Sequence, residues 1–182
     1  MPDSKKKSPP LVWIDLEMSG LDPEVCRILE AAVVITDGEL NELGDPLELV
    51  VHQPDAVLDA MDSWNTKQHG KSGLAKAVRN STTSEEAAAK LIADFVMQEC
   101  EPGQSPLCGN TVGHDKRFLI KYMPSVAGLL HYRIIDVSSI KELADRWYPD
   151  LPKPRKGEAH RALDDIRESI SELRFYREHV FK

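Results

Sequence analysis

The chain has 182 residues, of which 29% are charged and 41% hydrophobic, and a formal net charge of -7. That length buries a full core as one domain, and the acid excess excludes a protein that tracks long nucleic acid through many Lys/Arg–phosphate contacts. A short nucleic acid held by metals and a few local cations stays compatible, whereas a membrane span does not, because no apolar run approaches ~20 residues.

Residues 1–10 (MPDSKKKSPP) carry neither a hydrophobic region nor an Arg-rich amphipathic pattern. They read as a disordered tail, leaving 11–182 as a single domain. Residues 11–16 form a short apolar run that predicts a buried strand, broken by Met18-Ser-Gly-Leu-Asp-Pro23. Residues 27–36 (RILEAAVVIT) predict a second strand closed by Asp37-Gly38, and residues 46–53 its partner. Thr83-Ser-Glu-Glu86 reads as a capping box ahead of the amphipathic AAAKLIADFVMQ. Residues 106–109 are long enough only for a strand; 110–113 form a loop and 114–123 a helix. Residues 133–137 predict another strand, with Ser138 or Ser139 capping a helix that runs to Trp147. DLPKPRKG (150–157) excludes regular structure, and a long helix occupies the C-terminal segment from 160 to 181. The order β-β-β-α-β-α-β-α predicts an α/β protein with a mixed five-stranded sheet, three strands antiparallel and then two parallel, flanked by helices as in the ribonuclease-H-like fold.

Four acids and a histidine stand out against this framework. Residues two apart on a strand share a face, so Asp15 and Glu17 project together. Either the strand ends at Ile14 and both acids are solvated, or two like charges are buried, which is costly unless a cation pairs them. Asp115 opens a helix, where an acid favours the macrodipole, but the loop before it leaves a strand end, where α/β sites commonly lie. Asp165 falls on the buried stripe defined by Ala162, Ile166, Ser169, Leu173 and Tyr176, whereas Asp164 falls on the exposed side. His160 precedes Asp165 by a spacing that sets them about 140° apart on a helix, so it serves the same site only from the preceding loop. Hard oxygen ligands of this kind suit Mg²⁺ or Mn²⁺.

The set Asp15-x-Glu17, Asp115, His160-x-Ala162-x-x-Asp165 resembles the DEDD exonucleases of the histidine subgroup. The stretches WIDLEMSGLDP, SWNTKQHGKSGL, GNTVGHDKRFL, HYRIIDVSSIKELA and AHRALDDIRESI resemble the oligoribonuclease family, from about Leu11 to Phe181. The resemblance implies a cytoplasmic 3'→5' exoribonuclease that cuts very short oligoribonucleotides, especially dinucleotides, to mononucleoside 5'-phosphates. The alternative within the superfamily is an exonuclease acting on longer RNA or DNA 3' ends. It implies two divalent cations per site on Asp15, Glu17, Asp115 and Asp165, with His160 as general base on the attacking water. By the same resemblance, Leu21 wedges and Trp64 stacks against the bases, and His69 and Thr111 contact the substrate. Tyr132, Arg133, Ser138 and Ile140 match the segment that caps its 5' end, with Tyr132 reaching across a homodimer into the neighbouring site. An ordinary core aromatic is the competing reading of Trp64, and a surface tyrosine that of Tyr132. His114 departs from the family's pattern, which places a polar residue such as Gln before the third acid.

Overall fold

The computed structural model describes residues 8–152 and 161–181. Most of the expected tail, most of the 150–157 loop and His160 therefore lie outside the described residues.

Alternation along the first strand, β1 (Leu11–Met18), divides the interior in two. Val12, Ile14 and Leu16 enter one core, and Trp13 enters the other. Strand β2 (Ile28–Thr36) runs antiparallel to β1 and is buried along its whole length. It repeats the division, with Ala31, Val33 and Ile35 on the first side and Ala32 and Val34 on the second. Strand β3 (Leu47–Val50) pairs antiparallel with β2. On the far side of β1, β4 (Pro106–Gly109) and β5 (His131–Asp136) add in parallel. The sheet order is β3-β2-β1-β4-β5, so the predicted mixed sheet of antiparallel then parallel strands is the observed one.

Eight helices occur among the described residues. α1 (Asp55–Asp59), α2 (Ser63–Lys71) and α3 (Leu74–Asn80) fill a stretch in which the sequence pattern marks no helix. They are short, and α2 buries only Asn65 and His69, so no apolar stripe exists to reveal it. α1 and α3 instead pack Leu58, Leu74 and Val78 around Leu29 in a small separate core. α4 (Glu85–Glu99), α5 (Gly113–Tyr122) and α6 (Pro124–Leu129) follow, α4 and α5 packing on the first face. α7 (Val137–Trp147) and α8 (Ala162–His179) cover the second.

Two caps differ from expectation. Ser84, not Thr83, is the N-cap of α4 and accepts from the Ala87 N–H at 3.1 Å, because the Thr83 carbonyl is taken by the His52 N–H. Asp136, rather than either serine, caps α7 and accepts from the Ser138 N–H at 3.0 Å. In both cases the helix begins where the neighbouring strand or loop releases the chain.

Candidate active site

Strand β1 continues past Ile14 to Met18, so Asp15 and Glu17 lie on a strand, on the Trp13 side that faces α8. Asp165 comes from the first turns of α8, between Ala162 and Ser169, while Asp164 is exposed. Oxygen atoms of Asp15, Glu17 and Asp165 all lie within 4.8 Å of one another. Three carboxylates that close repel unless protons or a cation intervene.

Asp115 joins them by a different route. Strand β4 is short and pairs with β1 only at Val12 and Trp13, so the β1 edge beyond is open toward α5. Asp115, at the start of α5 and 6% exposed, accepts from the Leu16 N–H at 3.0 Å and completes that edge. It stands outside the mutual contact of the other three. The chain enters α5 through a tight turn at Gly109, where a Cβ would meet Val112 Cγ2 at 3.2 Å. Thr111 then takes a left-handed φ of 53°, a costly conformation for a β-branched residue. Its N–H donates to Asp136 Oδ1 at 2.9 Å and to Ser138 Oγ at 3.2 Å, which holds the strained turn.

Burial is the largest influence on these acids. It pushes the Asp15 carboxyl well above the usual carboxylate range, with Asp115, Asp165, Glu17 and Glu30 adding to the rise. Burial, then Asp165, Glu30 and Asp115, push Glu17 up to about 8, while Arg161 opposes. Asp115 is pushed up to about 7 by burial, against the Leu16 N–H that stabilises its charge. The metal-free folded chain thus keeps protons that the unfolded chain releases near pH ~4. The associated stability is complete below that pH and is lost as pH rises toward about 8. In EDTA the melting temperature should therefore fall between about pH 6 and pH 8. Added Mn²⁺ should raise it more at the higher pH, by a margin of several degrees, on the order of 2–4 °C per kcal/mol. Thermal scans at both pH values measure this; an equal metal-induced shift at each would argue against the carboxylates as the binding groups.

The remaining predicted residues fall into separate groups. His69 is 2% exposed; its Nε2 donates to the Met18 carbonyl at 3.0 Å and its Nδ1 lies 4.0 Å from Glu17 Oε2. It thereby docks α2 against the irregular step between Glu17 and Met18 in the β1–β2 ladder. Trp64, on the first turn of the same helix, is 65% exposed, so it is no core aromatic. Leu21 is likewise exposed, on the loop after β1. Tyr132 and Arg133 are exposed on β5, the edge strand, with the guanidinium 5.3 Å from the tyrosine ring centre. The Lys116 ammonium donates to the Tyr132 carbonyl at 2.9 Å. Ser138 sits with Asp136 beside Thr111, and Ile140 packs against the second core rather than projecting freely. His114, one residue before Asp115, keeps a buried Nδ1 without a hydrogen-bond partner among the described residues.

Three positions in contact with the predicted residues or their elements escape the motif reading: Glu30, Arg161 and Asp136. Glu30 is 1% exposed on β2, opposite Glu17, and bonds Arg161 and the first turn of α8. An acid inside the apolar run Ile28-Leu29-Glu30-Ala31-Ala32 is the same signal that marks Asp15, and it was legible on that ground.

The sheet thus carries clustered carboxylates on the face that α8 covers. The exonuclease family RNase_T matches residues 12–173, so the chain belongs to that family. It is 54% identical over 173 residues to the oligoribonuclease of Marinobacter nauticus, covering 94% of this chain and 96% of the relative. With the mitochondrial oligoribonuclease of Homo sapiens it shares 53% over 174 residues, 94% of this chain and 73% of the relative. Within the exonucleases it therefore belongs with the oligoribonucleases. Among solved structures, Escherichia coli exonuclease I in complex with a dT13 oligonucleotide superimposes with a TM-score of 0.73 at 16% identity. That match covers 93% of this chain but 41% of the larger protein, so it speaks to the fold alone.

Proposed function

We infer that this chain is a 3'→5' exoribonuclease that hydrolyses short oligoribonucleotides, dinucleotides above all, to mononucleoside 5'-phosphates. The observation that carries this reading is the cluster of Asp15, Glu17 and Asp165 within 4.8 Å, in a member of the oligoribonuclease family. Asp115, anchored on the β1 edge, supplies a fourth carboxylate to the same end of the sheet.

The all-oxygen donor set fits Mg²⁺ or Mn²⁺, and two such cations, when bound, neutralise the acids and stabilise the attacking and leaving oxygens of an in-line displacement. Around them the chain's own groups divide the work. His160 takes the proton of the attacking water. The bond that breaks is from phosphorus to the 3'-oxygen of the upstream nucleotide. Trp64 offers its exposed ring as a stacking platform, worth ~1–3 kcal/mol per base and tolerant of sequence, and Leu21 wedges against the same bases. His69 orients Glu17 and, with Thr111, meets the substrate; Arg133, Ser138 and Ile140 belong to the segment that caps its 5' end.

Tyr132 caps the 5' end from the partner subunit of a homodimer. Its exposure on an edge strand that also exposes Ile134 supports an interface there. The three cysteines are free, and burial pushes the Cys108 thiol up, in keeping with a reducing cytoplasm. No helix among the described residues is long and apolar enough to cross a membrane.

Hydrolysis of 5'-phosphorylated RNAs of two, five and twenty nucleotides, with Mg²⁺ or Mn²⁺ and an EDTA control, tests the reading. Fastest release of mononucleotides from the dinucleotide is expected. Equal rates on all three would move the chain to an exonuclease of longer 3' ends. Tyr132→Ala should lower kcat on the dinucleotide about 10- to 100-fold, the loss of one charge-assisted hydrogen bond of ~1.5–3 kcal/mol. A variant unchanged on dinucleotides would remove the capping role.

A further inference from the structure

Glu30, on the α8-facing side of the sheet opposite Glu17, is paired with a cation rather than with the acid cluster. Arg161 Nε lies 3.0 and 3.1 Å from its two oxygens, and Arg161 Nη2 makes a closer contact with Oε1. The Ala162 N–H donates to Oε2 at 3.3 Å. Arg161 is the N-cap of α8 and makes no side-chain cap of its own, so a strand carboxylate satisfies the first turn instead. One turn later the Asp165 N–H donates to the Arg161 carbonyl at 3.1 Å. The depth and rotation of this turn decide where the Asp165 carboxyl stands relative to Asp15 and Glu17.

Glu30 faces Glu17 directly across the β1–β2 ladder, so the pair sits against the cluster.

Resting on the reading of the acid cluster as a cation site, we propose that Glu30 and Arg161 form a positioning pair that fixes the first turn of α8 so that Asp165 closes the cluster. The arrangement parallels the outer partners of metal ligands, whose loss costs about 10–100-fold in affinity or activity. Neither residue touches the substrate in this role.

Mn²⁺ binding, read from the electron paramagnetic resonance of the free ion, tests the pair without relying on turnover. E30Q should weaken Mn²⁺ binding about 10–100-fold and lower kcat on the diribonucleotide, with KM little changed because Leu21 and Trp64 are untouched. The double variant E30Q/R161Q should bind Mn²⁺ no more weakly than E30Q, since both changes break the same contact. Wild-type affinity in E30Q, or a double variant weaker than either single change, would overturn the proposal. Should E30Q not fold, R161K decides the matter: it keeps the charge, loses the two-pronged contact, and should still lower Mn²⁺ affinity, whereas wild-type affinity there overturns the pair. A wild-type protein that binds Mn²⁺ yet leaves the dinucleotide intact would defeat the substrate assignment alone.

Discussion

Asp15→Asn should lower kcat on a diribonucleotide by about 10³-fold or more and, at the same time, raise the melting temperature of the metal-free protein. The first effect follows from removing a charge at the centre of the cluster: cation catalysis contributes several kcal/mol to the transition state, and each 1.4 kcal/mol is about tenfold in rate. The second follows from electrostatics of the folded chain. The charge on Asp15 is opposed by its surroundings, through burial first and then through Asp115, Asp165, Glu17 and Glu30. An amide of the same shape removes both the desolvation cost and four repulsions. Near pH 8 in EDTA the gain should be about 1 kcal/mol or more, or roughly 2–4 °C for a chain of this size. Steady-state kinetics at saturating Mg²⁺ and calorimetry in EDTA check the two halves. Turnover at the wild-type rate would take Asp15 out of the site. A lower melting temperature would make it a structural partner instead.

His160→Ala should reduce kcat about 10²–10⁴-fold, the usual contribution of a positioned general base, while leaving Mn²⁺ binding and melting temperature near wild type. This separation of rate from binding distinguishes a base from a ligand. Added imidazole should restore part of the rate to the variant, because it supplies the missing proton acceptor. A variant that loses Mn²⁺ affinity along with activity would make His160 a cation ligand.

The cluster was readable wherever a regular period brings residues together. The two-residue repeat of β1 puts Asp15 and Glu17 on one face, and the helical repeat of α8 puts Asp165, not Asp164, on the inner one. Where no period exists, the pattern is silent. α1 to α3 carry too few apolar residues to show a stripe, so the helix that presents Trp64 and buries His69 is held by a different logic. Asp62 caps it, accepting from the Asn65 N–H at 2.8 Å, and His69 pins it to Met18. The polar neighbours of Trp64 left a core ring and a stacking platform both open; its exposure decides for the surface. The Thr83 and Ser138 caps were misplaced by one or two residues, because several adjacent residues offer the same oxygen and only backbone direction chooses among them.

By itself the sequence determined the chain order of the strands, their antiparallel and then parallel directions, and the face on which each acid of a strand or helix stands. Those properties depend on local geometry: the alternation of a strand, the turn of a helix and the short connections that force antiparallel neighbours. Tertiary structure decided the rest. It brought Asp115 to the open edge of β1 through the Leu16 N–H, set His69 against Glu17, and joined Glu30 to Arg161 across 131 positions of the chain. Such contacts arise from which backbone groups are left unpaired and which charges are buried together once the sheet closes, and neither is written in any local period.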